Sequence, residues 1–157
     1  MNGLALALNE KGYVVTGSDD VVFEPSKSNL AAKGLLPEAF EWFPERIHDK
    51  LNAVILGMHA KKDNPELLKA IEFKIPVFSC PEFLYGQSKN KTRMVIGELH
   101  GKTAIISMIL HVLDYLNKQA DYMAGISQNR NAPLIHLANE NDFAVFEGGE
   151  YYGNRCR

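Results

Sequence analysis

Arg93-Met94-Val95-Ile96-Gly97-Glu98-Leu99-His100-Gly101-Lys102-Thr103-Ala104 runs from a short apolar strand into Gly-Lys-Thr at the head of a helix. A strand–turn–helix junction needs those three residue types together when it holds a phosphate. Glycine lets the backbone approach the anion, and the free N–H groups of the helix start point at it. The lysine neutralises charge on the outer phosphates, and the threonine hydroxyl can ligate Mg²⁺. The glycine usual five residues before Gly101 is absent, because Ile96 stands there. Alone, this half-motif fits either a phosphate loop or an ordinary strand–turn–helix.

The flanking sequence favours the first reading. Residues 104–116 are apolar and free of Gly and Pro, which predicts a helix buried against a sheet. Asp142-Phe143-Ala144-Val145-Phe146-Glu147 reads as a buried strand ending in a carboxylate. An acid at the end of a strand beside a phosphate loop suits Mg²⁺, which takes hard oxygen ligands next to bound phosphates.

Outward from this stretch, the chain of 157 residues is long enough for one ordinary domain or two small ones. With 46% hydrophobic and 23% charged residues it has the apolar material for a core. A net charge of −2 and scattered Lys/Arg argue against a nucleic-acid footprint. Cys80 and Cys156 make neither a disulfide framework nor a zinc site, so a reduced, cytoplasmic setting is expected. No apolar run reaches the roughly 20 residues of a membrane span, and no signal peptide is visible.

The first ninety residues alternate helix and strand. Helices are predicted at Asn2–Lys11, stopped by Gly12, and at Ser26–Lys33, stopped by Gly34. Tyr13–Thr16 is predicted to be a strand ending at Gly17-Ser18-Asp19-Asp20, and Ala53–Met58 a buried strand. Asn64 is placed to cap a helix opening at Pro65 with Glu66 in its first turn. A strand at Ile75–Ser79 and a helix at 81–87 follow, and polar Ser88–Lys91 is the expected domain boundary. Such alternation implies parallel strands with helical crossovers, hence an α/β fold. A Rossmann-like sheet ordinarily opens with a strand and a Gly-rich turn, whereas this chain opens inside a helix. Truncation or loss of those elements is the expectation.

Five segments together resemble the Mur ligase family, the ATP-dependent enzymes that build the peptidoglycan stem peptide. They are Gly17-Ser18-Asp19, the run Gly57–Leu67 with its Lys61-Lys62-Asp63-Asn64-Pro65-Glu66, Pro81-Glu82-Phe83-Leu84, His100–Thr103, and Glu147-Gly148-Gly149-Glu150-Tyr151. The similarity is greatest to the branch of UDP-N-acetylmuramate–L-alanine ligases and murein peptide ligases. The resemblance implies an incomplete Rossmann-like parallel sheet over residues 1–90, for a UDP-sugar, followed over 91–157 by the start of a P-loop ATPase domain. It also implies ATP and Mg²⁺ as cofactors. UDP-N-acetylmuramate would be one substrate, its lactyl carboxylate activated as an acyl phosphate, and an amino acid or peptide amine the other. Lys102 would be the catalytic residue on the β/γ-phosphates. His100, Gly101, Lys102 and Thr103 would bind the nucleotide, and Thr103 with Glu147 would hold Mg²⁺. Asp19 and His59 would contact the UDP-sugar.

Departures from the family pattern bear on activity. Glu98 and Leu99 stand where small or hydroxyl residues are usual, Ala104 replaces a second hydroxyl, and Gly149 replaces an acid. A carboxylate beside a triphosphate works against anion binding. Each assignment has a plainer rival: Lys102 as a solvated lysine (disfavoured at a helix start), Thr103 as a helix residue, Glu147 as a strand end, Asp19 and Asp20 as turn formers. His111 is read as a core or boundary histidine. The leading expectation is an amide-forming ligase; an inactive remnant with weak or no nucleotide binding is the alternative, and a generic P-loop hydrolase comes third. The 157 residues alone are expected to be inactive, and an open sheet edge is expected to favour self-association.

Overall fold

The computed structural model describes residues 1–57, 60–97, 100–124 and 133–148. The chain forms two compact units, Met1–Leu6 with Val14–Gly86 and Ala7–Tyr13 with Gln87–Arg157. The architecture is α/β, with parallel strand pairs in both units.

In the first unit, α1 (Asn2–Glu10) supplies its opening residues, followed by α2 (Ser26–Ala32) and a 3₁₀ turn at Pro44–Arg46. Then come β1 (Val54–Leu56), α3 (Pro65–Glu72), β2 (Val77–Ser79) and α4 (Cys80–Gln87). β1 and β2 pair in parallel, Val54 beside Val77 and Leu56 beside Ser79. Parallel pairing requires a crossover, which α3 provides while packing on β2. Asn64 starts α3 as its sequence predicts: its side chain accepts from the Glu66 and Leu67 N–H groups at 2.9 and 3.1 Å. α4 opens on a reciprocal cap, in which Glu82 accepts from Ser79 N (2.8 Å) and Ser79 Oγ (2.7 Å).

Two expectations for this unit are corrected. Tyr13–Thr16 forms no strand, and Val14 is 99% exposed. Two valines favour extended backbone, but a strand also needs a neighbour to pair its N–H and C=O groups. The 53–58 run yields only a three-residue strand that is half-buried throughout, because a two-stranded sheet cannot bury both faces of its members.

The second unit holds β3 (Thr92–Ile96), α5 (Lys102–Tyr115), β4 (Ala120–Met123), β5 (Ile135–His136) and β6 (Phe143–Glu147). Their spatial order is β3-β6-β4-β5, with β6 parallel to both β3 and β4, and β5 antiparallel to β4. Ile106 and Leu110 of α5 are buried with Ala120, Ala124 and Val145, and Met94, Ile96, Tyr122 and Phe143 pack around them. The expected burial of this helix holds for one face only. Ile105, Met108, Val112 and Tyr115 are exposed, Tyr115 by 82%, and His111 is exposed as well, not packed.

A buried charge cluster fastens the amino ends of these strands. Asp121 is fully buried; Oδ2 accepts from Lys91 Nζ at 2.7 Å, and Oδ1 from Ala138 N and Asn141 Nδ2 at 2.9 Å each. Lys91 also donates to the Ala138 carbonyl. Ser88, three residues before Lys91, is fully buried, so both ends of the 88–91 stretch are anchored while Lys89 and Asn90 are exposed.

Candidate functional site

Gly101 precedes α5 with φ +81°, a left-handed backbone that strains any residue bearing a Cβ. This turns the chain sharply from the carboxyl end of β3 into the helix. Gly101 stands at the N-cap of α5 and has no side chain with which to cap it. Lys102 and Thr103 occupy that turn, half-buried, and Thr103 O accepts from Ser107 Oγ at 2.9 Å. His100 is exposed just before the turn.

Glu147 ends β6 directly beside Ile96, the last residue of β3, and Gly148 N donates to Ile96 O at 2.9 Å. The carboxylate and the Gly101-Lys102-Thr103 turn thus share the carboxyl edge of one parallel strand pair, the edge at which α/β sheets bind ligands. The donor set fits a Mg²⁺–nucleotide: helix-start N–H groups and a lysine for phosphate, a hydroxyl and a carboxylate for a hard cation. A hollow of about 360 Å³ lined by Asn117, His136, Asn141 and Asp142 opens at the amino ends of β4 and β6, the far end of this sheet, and includes none of the expected ligands.

In the first unit, Asp19 lies in an irregular exposed segment that follows no strand. Burial at its carboxyl raises its pKa above the usual range, and a hydrogen bond with Asp20 adds to the effect. The neighbouring Ser18 donates from Oγ to Glu66 Oε1 at 2.5 Å, and the same oxygen accepts from Phe43 N at 2.8 Å. The Arg46 guanidinium lies 3.9 Å from the centroid of the Phe43 ring. Sequence reading places Glu66 only as a favourable first-turn acid; its tie to residues 48 and 23 positions away carries no local signal. His59, Glu98, Leu99, Gly149, Glu150 and Tyr151 lie outside the described residues.

The model of the Mur ligase family, catalytic domain, matches residues 1–92. The UDP-N-acetylmuramate–L-alanine ligase of Lactiplantibacillus plantarum is 33% identical over 151 residues, covering 96% of this chain and 32% of that protein. The UDP-N-acetylmuramate–L-alanyl-gamma-D-glutamyl-meso-2,6-diaminoheptandioate ligase of Escherichia coli is 28% identical over 153 residues, covering 96% and 33%. Among solved structures, the UDP-N-acetylmuramate:L-alanyl-gamma-D-glutamyl-meso-diaminopimelate ligase from Neisseria meningitides superposes with a TM-score of 0.80 at 23% identity, over 96% of this chain and 49% of that one. The UDP-N-acetylmuramate-alanine ligase from Thermotoga maritima gives 0.69 at 24% identity, over 93% and 34%. The chain spans about a third of the length of these sequence relatives.

Proposed function

The chain belongs to the Mur ligase family, and from that premise we propose that it carries the nucleotide-sugar and ATP sites of an amide-forming ligase of peptidoglycan synthesis or recycling. Its substrates are UDP-N-acetylmuramate and an amino acid or peptide amine, its cofactors ATP and Mg²⁺, and its setting the cytoplasm. Residues 1–90 serve the UDP-sugar and 91–157 the ATP. The observation that supports this reading is that Glu147 ends β6 beside Ile96, the last residue of β3, while Gly101 with φ +81° opens α5 at Lys102 and Thr103 five residues further on. No helix among the described residues is long and apolar enough to cross a membrane.

When bound, ATP supplies the phosphoryl group that activates the lactyl carboxylate. Gly101 would let backbone N–H groups approach the phosphates, and His100 would lie beside them. Lys102 would neutralise charge on the β- and γ-oxygens, including the charge that shifts to the leaving group. Thr103 and Glu147 would hold Mg²⁺ through oxygen donors, with the small number of protein ligands that this ion usually accepts. Asp19 offers an acceptor to the hydroxyls of the UDP-sugar.

Calorimetric titration with Mg²⁺ and a non-hydrolysable ATP analogue tests the reading, with Lys102→Ala alongside. Saturable binding in the wild type that is lost in the variant is the expected result. No heat from a chain shown to be folded would sink it, and would favour an inactive remnant whose loop carries Glu98.

A further inference from the structure

We propose that Glu66 is the positioning residue of the nucleotide-sugar site, clasping the Asp19 segment to the head of α3; the inference rests on the UDP-sugar reading above. Three observations carry it. First, a single oxygen, Oε1, takes both hydrogen bonds, from Ser18 Oγ at 2.5 Å and from Phe43 N at 2.8 Å. Two distant stretches of chain are therefore held at one point. Second, residues 13–20 form no strand, so no ladder of backbone bonds fixes the segment that presents Asp19. The Ser18–Glu66 bond supplies a fixed point one residue away. Third, Glu66 is itself immobilised: its N–H donates to buried Asn64 Oδ1 at 2.9 Å, and the 3₁₀ turn at Pro44–Arg46 packs against α3.

The chemistry favours a carboxylate at this position. An acid in the first turn of a helix is stabilised by the helix dipole, and its bonds to O–H and N–H are charge-assisted, hence shorter and stronger than neutral ones. Phe43 provides no side-chain cap for the 3₁₀ turn that follows it, and Glu66 reaches its N–H. The place matters as well. α3 follows the carboxyl end of β1, the ligand edge of a parallel strand pair, so whatever Glu66 fixes is fixed at that edge. There the clasp holds the segment that carries two adjacent acids, Asp19 and Asp20. Held in place, the pair offers acceptors to sugar hydroxyls without an ordering cost on binding.

The test titrates UDP and UDP-N-acetylmuramate into the full chain and into Glu66→Gln, Glu66→Ala and Ser18→Ala, with thermal unfolding recorded for each. Glu66→Ala is expected to weaken binding of UDP-N-acetylmuramate at least tenfold. Glu66→Gln keeps an acceptor oxygen and should stay within about threefold of the wild type. Ser18→Ala removes the tether but leaves the bond to Phe43, and should lose at least threefold affinity with little change in unfolding temperature. A purely structural Glu66 would lower the unfolding temperature and leave the affinity of the folded protein unchanged, which overturns the proposal. If Glu66→Ala does not fold, Ser18→Ala decides by the same criterion. A wild-type chain that binds neither ligand refutes the UDP-sugar reading itself, a result distinct from tight wild-type binding that is indifferent to residues 18 and 66.

Discussion

Replacing Asp121 by alanine is expected to cost the second unit a large part of its stability. The carboxylate is fully buried and has three partners within 2.9 Å: Lys91 Nζ, Ala138 N and Asn141 Nδ2. Its removal strands an ammonium whose side chain is only 9% exposed. Breaking a buried ion pair from one side costs about 3–5 kcal/mol. The two neutral donors lose an acceptor each, at about 1–3 kcal/mol when nothing replaces it, though water entering the space recovers part of that. A net loss of about 4 kcal/mol is the working figure, against a total of about 5–15 kcal/mol for a small domain. At about 4–8 °C per kcal/mol, the transition falls by about 15–30 °C. Urea titration followed by far-UV circular dichroism, with hydrogen exchange at the amides of β4 and β6, measures the loss. The double variant Asp121→Leu with Lys91→Met should recover much of it, because a buried pair exchanged for apolar groups of similar volume is often neutral. A drop under about 4 °C for Asp121→Ala, with exchange in β4 unchanged, would refute the view that this cluster ties the strand ends together.

A Cβ at residue 101 meets no atom of the described residues within 4 Å, so its cost comes from holding alanine at φ +81°. About 1–2 kcal/mol of stability should be lost, and binding of an ATP analogue should weaken with it; unchanged unfolding and binding would show that the turn is not constrained. The hydrogen bonds from Ser79 hold the Glu82 carboxyl below its ordinary value of 4.5. Its folded pKa is therefore lower than its unfolded one, so the stability it adds is present above the unfolded value and is lost as pH falls through the folded value. Glu82→Gln should flatten that acid limb in a pH series of unfolding midpoints, and an identical limb in both proteins would count against the cap. β3 lies at the edge of its sheet, with Val95 62% exposed. Concentration-dependent association is expected by light scattering, and a monodisperse monomer at high concentration would contradict it.

What the sequence made legible was local. Asn64-Pro65-Glu66 announces a helix start because cap, ring and acid act within one turn, and the structure begins α3 there. The 142–147 run shows its burial in its own composition, and Ala144 and Val145 are indeed fully buried. Gly101-Lys102-Thr103 marks a strand-to-helix turn, and the structure opens α5 there, behind a glycine that it finds in the left-handed region. What stayed hidden depends on partners far along the chain. Tyr13–Thr16 has strand-forming residues and no strand to pair with. β4 is Ala-Asp-Tyr-Met, whose central charge reads as loop until Lys91, thirty positions earlier, is seen to neutralise it. β5 is two residues long and leaves no periodicity to detect. α5 is apolar on both sides, so composition alone cannot say which face meets the sheet. Glu66 is the clearest case on the site side, since its bonds to Ser18 and Phe43 have no short-range signature.

Glu98 sets the sign of one remaining expectation. It lies three residues before Gly101, and an extended chain covers at most about 3.5 Å per residue, so the two Cα atoms are within about 10 Å. For a carboxylate about 10 Å from a phosphate, a unit charge repels each phosphate charge by about 0.4 kcal/mol in a water-like medium and about 1.7 kcal/mol at an effective dielectric of about 20. Glu98→Gly should therefore tighten binding of an ATP analogue by about twofold to twentyfold per uncompensated charge. Mg²⁺ offsets part of the triphosphate charge, so the gain should be larger when Mg²⁺ is scarce. It should also shrink as salt rises from 0.01 M to 0.15 M, where the screening length falls from about 30 to about 8 Å. A gain that ignores both Mg²⁺ and salt would mean that the glycine acts through backbone freedom and not through charge. Unchanged affinity would mean that the carboxylate does not face the phosphates, and the departure from the family pattern at residue 98 would then carry no weight against ATP binding.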